Sequence, residues 1–157
     1  MFSFAVSRAR SFVKFWMPVI IWMAVIFVAS GQAGSVRHTS RVLGPIIHWL
    51  FPSLSEQRLG EIVFSIRKCS HAVEYAILAV LLWRARRKPF RHDHRPWYLF
   101  DTMVAFGIAA LYAVSDEIHQ TFVASRQGSF WDVLLDSAGA ALGLLLFWRI
   151  GKIFRKW

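Results

Sequence analysis

The chain has 157 residues, of which 56% are apolar and 16% are aromatic, and its formal net charge is +10. That length is typical of one domain, and the apolar fraction is too high for an ordinary soluble domain. The basic residues stand in short clusters between apolar runs and form no nucleic-acid recognition motif, so the composition indicates a membrane protein and argues against nucleic acid as a partner.

The first predicted membrane span, residues 12–30, follows several basic residues and carries no charge from Phe15 to Ala29. A spanning helix needs ~20 residues, a length that is reached here if Lys14 extends to the interface. Such a pattern is typical of a signal peptide, with Gly31–Ala33 as a small-residue cleavage site, or of a retained anchor. The length and bulk of the apolar run favour the retained anchor.

A polar segment follows, and it contains one apolar patch, Ile46–Phe51, within residues 42–51. Because so short a piece cannot cross a bilayer, we expect an interfacial helix or a re-entrant helix that dips into the bundle. Ser53 is followed three residues later by Glu56, which matches a capping box. This spacing predicts that the next helix begins at Ser53.

The second predicted span, residues 66–83, contains charged residues. Only fifteen residues separate Lys68 from Arg84, roughly 22 Å of helix against a hydrocarbon core of about 30 Å, so the span must include a charged side chain. Polar residues recur at a spacing of three to four, namely Lys68, His71, Glu74 and Tyr75. A charge inside the membrane costs about 3 kcal/mol, so we expect this polar face to point into the bundle.

The remaining predicted spans are residues 97–115 and 130–150, which gives an all-α, four-helix transmembrane bundle in a single domain covering 1–157. Gly139 and Gly143 form a small-xxx-small pattern that favours close helix approach. Both termini and the basic loop 84–95 then lie on one side, with thirteen of the nineteen Lys and Arg residues. The positive-inside rule predicts that this side is the cytoplasm.

Polar residues concentrate where the second, third and fourth predicted spans reach the opposite side. The predicted polar cluster consists of Lys68, His71, Glu74, Tyr75, Asp116, Glu117, His119, Gln120, Arg126, Asp132 and Asp136. Lys68 or Arg126 is expected to pair with a carboxylate from another span, because buried charges need partners.

Three interpretations of this cluster remain open. It can be a purely structural charge network. It can be a pocket in which Lys68 and Arg126 hold a lipid phosphate while acids and amides hold an amine or sugar hydroxyls. It can also be a membrane-embedded enzyme, in which His71 or His119 beside a carboxylate acts as general base or two carboxylates and a histidine hold a divalent metal. The sequence contains no nucleophile elbow and no metalloprotease helix motif, and we assign it no cofactor and no metal.

Three sequence blocks resemble the VanZ-like family of bacterial membrane proteins, and the likeness extends from about Phe27 to Gly143. The blocks are Ser30–Gly34, Lys68–Tyr75, and Ser115–Gln120 with the following Phe122, Arg126, Asp132, Asp136 and Gly139. Gly31, Ala33 and Ala124–Ser125 depart from the family pattern. The last departure replaces a Pro-Gly pair, so the resemblance implies a less rigid loop before Arg126.

The resemblance implies a helical, multi-pass protein of the bacterial inner membrane, and the charge distribution given above places both termini in the cytoplasm. The family takes its name from a protein associated with resistance to the glycopeptide teicoplanin, and it implies no defined biochemical activity. We therefore predict that the polar cluster faces outward and binds the head group of a membrane lipid or of a lipid-linked envelope precursor. Such binding would influence cell-envelope properties or glycopeptide susceptibility.

Overall fold

The computed structural model describes residues 2–31, 36–89, 93, 95–123 and 128–154, with side chains from residue 10 onward except those of 36–42. Within these ranges the chain is helical and has no strand, so the predicted all-α class is confirmed. The five helices are α1 (Phe2–Ser30), α2 (Val36–Leu50), α3 (Glu56–Arg87), α4 (Leu99–Thr121) and α5 (Phe130–Ile153).

Three of the described helices are long and apolar enough to cross a membrane. These segments are Arg10–Ser30 of α1, Leu99–Thr121 of α4 and Phe130–Ile153 of α5. They overlap the predicted spans 12–30, 97–115 and 130–150. α4 continues to Thr121 because its last polar residues, Asp116, Glu117 and Gln120, are buried against neighbouring helices instead of ending the helix. α3 contains the predicted span 66–83 but lies outside this set of three.

The N terminus of α3 differs from the prediction. Its N-cap is Ser55, whose hydroxyl accepts the backbone N–H of Arg58 at 3.4 Å. A side-chain oxygen at this position satisfies one of the free N–H groups of the first helical turn. The predicted start at Ser53 was wrong because Pro52 and Ser53 form the turn that leads into the helix.

α3 is the central helix of the bundle and contacts all four other helices. α1 runs antiparallel to it along most of its length. The indole N–H of Trp22 donates to the carbonyl oxygen of Glu74 at 2.9 Å. Further along, the guanidinium of Arg84 lies 5.7 Å from the ring centre of Phe15. α1 is therefore an integral part of the bundle rather than a separate appendage.

α5 runs parallel to α3 and touches it backbone to backbone. A Cβ added to Gly139 would lie 2.7 Å from Ala72 Cα, and one added to Gly143 would lie 2.7 Å from Ala76 Cα. Real side chains do not tolerate such distances, so only glycine fits at both positions. The close approach predicted from the Gly139 and Gly143 spacing is confirmed.

The two ends of the bundle differ in chemistry. At the end where α3 and α5 finish, the Trp83 ring stacks on Trp97 with centroids 4.5 Å apart and meets the edge of Phe147 at 5.3 Å. We call this the aromatic end. The opposite end, where α1 and α4 finish and α5 begins, holds Ser30, Asp116 and the other polar side chains described below, and we call it the polar end.

α2 is too short to cross a bilayer, since its 15 residues extend roughly 22 Å. It packs on α3 through Ile47, which is buried, and through Gly44, where an added Cβ would lie 3.6 Å from Leu59. On its other side Trp49 is 79% exposed and Phe51, just after the helix, is 58% exposed. Apart from the buried Ile47, the apolar patch noted in the sequence therefore faces away from the bundle.

Candidate functional site

An ion pair joins α3 to α5 at the polar end. Lys68 Nζ contacts Asp132 Oδ1, and both side chains are about one-fifth exposed. The same ammonium lies 5.3 Å from the ring centre of Phe64, one helical turn earlier. The predicted pairing of Lys68 with a carboxylate from another span is thus present.

Asp116 connects α1 to α4 through buried hydrogen bonds. Its Oδ2 accepts the hydroxyl of Ser30 at 2.6 Å and the side-chain amide of Gln120 at 3.1 Å. The Gln120 amide also donates to Glu117 Oε1 at 3.3 Å. All four residues are buried, so this network fixes the end of α1 against the last turns of α4.

Glu117 continues the network into α5. Its Oε2 accepts the backbone N–H of Ser129, the N-cap of α5, at 2.7 Å. The chain passes so close to α4 here that a Cβ added to Gly128 would lie 2.6 Å from the Glu117 carbonyl oxygen. A carboxylate at a helix N terminus is favourable because it faces the positive end of the helix dipole.

Two buried polar side chains lie just below this network, and the described residues leave both unsatisfied. Asp136 is 1% exposed and Tyr75 is fully buried. Within the described part of the chain, neither carboxylate oxygen of Asp136 nor the hydroxyl of Tyr75 has a hydrogen-bond partner. Burying a polar group without a partner costs several kcal/mol on apolar-transfer scales, so such groups need an explanation.

Asp136 also lines a narrow cleft between α3, α4 and α5. Its lining residues are Arg67, Lys68, His71, Glu117, Gln120, Asp132, Leu135 and Asp136. The cleft has no room for a free water molecule. The polar end is therefore closed in this conformation, with the Lys68–Asp132 pair among the residues that close it.

The two histidines of the predicted cluster lie in different places. His71 lines the cleft, and its Nδ1 lies 3.9 Å from the carboxylate of Glu74 on the same helix. The His119 ring instead packs against Phe27 of α1, with centroids 4.2 Å apart. The structure therefore does not place the two histidines together around one reacting atom.

The structure brings most of the predicted cluster together at the polar end. The cleft and the hydrogen bonds beside it include Lys68, His71, Asp116, Glu117, Gln120, Asp132 and Asp136. Tyr75 is buried at the same end, and its hydroxyl has no hydrogen bond within the described part of the chain. His119 lies at the α1 contact, Glu74 borders the groove described next, and Arg126 lies outside the described residues. In the described part of the chain no three His, Cys, Asp or Glu side chains are placed to hold a metal ion.

Sequence reasoning missed the partners that α1 supplies. Ser30 donates to Asp116, Trp22 donates to the Glu74 carbonyl, and the Tyr112 hydroxyl donates to the carbonyl of Met23 at 2.7 Å. These partners are separated by 52 to 89 positions in the chain. Local spacing carries no signal for such distant pairs.

An open groove of about 730 Å³ runs along α3 beside α1. Its floor is apolar and includes Trp22, Ile66, Val73 and Ile77. Polar groups lie at its border, among them the Glu74 side chain. The groove thus adjoins the polar end and has a surface of the kind that an apolar chain can contact.

The aromatic end has an ordered ion-pair network where the sequence suggests only a basic loop. The Arg87 side chain is 2% exposed, and it lies 3.4 Å from Asp93 Oδ2 and donates to the carbonyl of Pro96 at 2.7 Å. Arg95 donates to the same carboxylate at 2.8 Å. These hydrogen bonds from Arg95 hold the pKa of the Asp93 carboxyl well below its usual range. Nearby, Arg86 pairs with Asp101 at 3.0 Å.

The sequence model of the VanZ/LLP1 family matches residues 15–155, from inside α1 to beyond the end of α5. Comparison with curated proteins and with solved structures gave no match. The match covers nearly the whole chain and includes the helices that build the polar end. Together with three helices of membrane-spanning length and hydropathy, it indicates a membrane protein. The chain belongs to the VanZ/LLP1 family.

Proposed function

We propose that this protein crosses the bacterial cytoplasmic membrane four times, with α3 as the fourth spanning helix beside α1, α4 and α5. α3 lies alongside α1 from the level of Phe15, near Arg84, to the level of Trp22, near Glu74. It continues to Asp132 at the start of α5 through Lys68. A helix that accompanies two spanning helices over their length has to cross the same bilayer, and its charged side chains then face partners instead of lipid.

Both termini and the aromatic end lie in the cytoplasm in this proposal, and the polar end faces outward. The support is the charge asymmetry, with thirteen of nineteen Lys and Arg residues on the side of the termini. α2 then lies at the outer surface, with Trp49 and Phe51 in the interface or dipping toward the bundle. α1 remains as a permanent member of the bundle because it supplies hydrogen-bond partners to α3 and α4.

The polar end binds the head group of a phospholipid or of an isoprenoid-linked envelope precursor. The observation that carries this proposal is the pair of buried, unsatisfied groups on Asp136 and Tyr75, directly below the closed cleft. A ligand that reaches them would satisfy a carboxylate and a hydroxyl that have no partner among the described residues. The adjoining groove of about 730 Å³ offers a surface for the apolar chain of the same molecule.

The charges favour a head group that offers amine or hydroxyl donors. Lys68 is already neutralised by Asp132, and Glu117 and Gln120 are engaged in hydrogen bonds, so the available groups are mainly the Asp136 carboxylate and the Tyr75 hydroxyl. Arg126 is the candidate for a phosphate in the same head group. Entry requires the Lys68–Asp132 pair to separate, because the cleft is closed while the pair is made. Binding there would alter envelope composition or glycopeptide access at the outer leaflet.

The rival proposal is a purely structural network, and the Ser30–Asp116–Gln120–Glu117 chain of hydrogen bonds favours it. These hydrogen bonds join α1 to α4 without any ligand, and Glu117 extends them to the backbone N–H of Ser129 at the start of α5. The two proposals differ at Asp136 and Tyr75. A structural role predicts that removing their polar atoms changes folding alone.

Native mass spectrometry of protein purified in mild detergent separates these proposals. Asp136→Asn and Tyr75→Phe keep the shape of each side chain, and Asp101→Asn at the opposite end is the matched control. We expect the first two variants to fold normally and to lose a co-purifying lipid that the wild type and the control retain. An unchanged lipid complement in well-folded Asp136→Asn and Tyr75→Phe would refute lipid-head binding. Conversion of the retained lipid to a new species would instead indicate an enzyme.

Two further variants, Arg126→Gln and His119→Ala, extend this experiment. Arg126→Gln removes the candidate phosphate ligand, so we expect loss of a phosphate-bearing lipid. His119→Ala removes a ring that packs on Phe27 outside the cleft, so its effect should appear in stability and not in lipid retention. Lipid loss in His119→Ala without loss of stability would contradict the assignment of the cleft as the site.

A further inference from the structure

A second apolar groove lies between α4 and α5 near the aromatic end. Its volume is about 500 Å³, within the range of small-molecule sites. The walls include Met103 and Phe106 of α4 and Ala141, Leu145 and Trp148 of α5. Both helices have the length and hydropathy of membrane spans, so the groove faces the hydrocarbon of one leaflet.

Two cationic side chains, Arg149 and Lys152, lie at the end of this groove. Lys152 Nζ lies 5.0 Å and Arg149 Cζ lies 5.6 Å from the ring centre of Trp148. Trp148 itself lines the groove, so the ring links the apolar walls to the charged end. This arrangement places positive charge at the level where lipid phosphates meet the hydrocarbon.

These two cations differ from the arginines that surround them. Arg86, Arg87 and Arg95 each pair with a carboxylate, either Asp101 or Asp93. Across the described ranges, by contrast, Arg149 and Lys152 have no carboxylate oxygen within 4 Å. The negative end of the α5 helix dipole stabilises the positive charges of Arg149 and Lys152. The N–H groups of both side chains remain available to a bound anion.

We propose that this groove binds one anionic phospholipid of the adjacent leaflet, with an acyl chain between α4 and α5 and the phosphate against Arg149 and Lys152. Charge selects this occupant. The larger groove beside α1 is bordered by Glu61 and Glu74, whose charge disfavours an anionic head group. The α4–α5 groove has cations at its polar end and no described acid in its lining. This site is independent of the lipid-head site proposed at the polar end.

The test is native mass spectrometry of the full-length protein after equilibration with an equimolar mixture of phosphatidylglycerol and phosphatidylcholine. We expect the wild type to retain phosphatidylglycerol preferentially. The double variant Arg149→Gln/Lys152→Gln should reduce that preference by up to about thirtyfold, since each cation at a membrane surface contributes about 1 kcal/mol to attraction of an anionic lipid. Ala141→Trp fills the groove while leaving every charge in place, and it should also reduce retention of phosphatidylglycerol.

The matched control is Arg10→Gln/Lys14→Gln, which removes the same number of charges from exposed positions on α1 at the same end of the bundle. It should retain the wild-type preference. An equal loss in this control would show a general charge effect and overturn the proposal. Unchanged retention in both the Arg149→Gln/Lys152→Gln and Ala141→Trp variants would also overturn it. All of these positions are exposed, so the variants should fold, and thermal unfolding of each one checks this.

Discussion

Replacement of Gly139 by alanine should destabilise the bundle, although alanine is the better helix former. The added Cβ would lie 2.7 Å from Ala72 Cα and 2.8 Å from its carbonyl carbon. Both are backbone atoms of α3 and cannot rotate away, so α3 and α5 would have to separate. That separation would also loosen the Gly143–Ala76 contact one turn further along.

The magnitude follows from two opposing terms. Exchange of glycine for alanine in a helix gains about 1 kcal/mol from propensity. Overpacking of a well-packed contact costs about 1–3 kcal/mol or more, and the clash with backbone places Gly139→Ala at the upper end. Gly107→Ala in α4 is the matched control, because a Cβ there meets nothing within 4 Å. We therefore expect the free energies of unfolding of the two variants to differ by about 2–4 kcal/mol.

The assay is equilibrium unfolding of the purified variants in mixed micelles, followed by circular dichroism. Gly139→Ala should unfold at lower denaturant than the wild type, and Gly107→Ala should unfold at the same or higher denaturant. If Gly139→Ala proved as stable as Gly107→Ala, the backbone contact between α3 and α5 would not exist as described.

Three further predictions concern topology, the ion pair and pH. In a variant without the native cysteine, a membrane-impermeant thiol reagent should label Ser53→Cys and not Lys88→Cys in intact cells; the reverse pattern would invert the proposed orientation. Asp132→Ala should lower the free energy of unfolding by about 1–3 kcal/mol, between the values for exposed and for buried pairs, and Leu145→Ala on the lipid-facing side should lower it less. The pKa of Asp93 is lowered in the folded state, so its contribution to stability is complete above the unfolded pKa of about 3.9 and decreases as the pH falls toward the folded value. The difference in melting temperature between wild type and Asp93→Asn should therefore be constant from pH 7 to about pH 5 and shrink below about pH 4. A difference that grows on acidification would contradict this sign.

The features of the polar end that could be predicted from the sequence involve charged side chains. A charged side chain in an apolar environment has few stable arrangements, because it needs a partner of opposite charge. Lys68 was expected to pair with an acid on another helix because a buried ammonium without a partner is costly, and Asp132 is that acid. The spacing of Gly139 and Gly143 likewise restricts the packing to close approach. In both cases one residue type leaves only one stable arrangement.

Other features were not predictable because their residue types have many alternatives. A serine such as Ser30 can hydrogen-bond to its own helix, and nothing local indicates a partner 86 positions away. Arg87 follows other basic residues, and its sequence context is typical of a solvated loop. The structure buries it because Asp93 and Pro96 accept hydrogen bonds from its guanidinium, and no periodic pattern signals these contacts.

The backbone contact between α3 and α5 also determines which part of the molecule can move. These two helices meet without intervening side chains at Ala72 and Ala76. They therefore have little freedom to slide or separate, and they should move together as one rigid body. α1 packs on α3 and α4 through side chains, among them the buried Val19 and Ile26 and the hydrogen-bonding Trp22 and Ser30. Widening of the polar end should therefore swing α1 and the end of α4 outward while α5 stays in place. A ligand is then expected to enter the cleft from the side of α1, where the 730 Å³ groove lies.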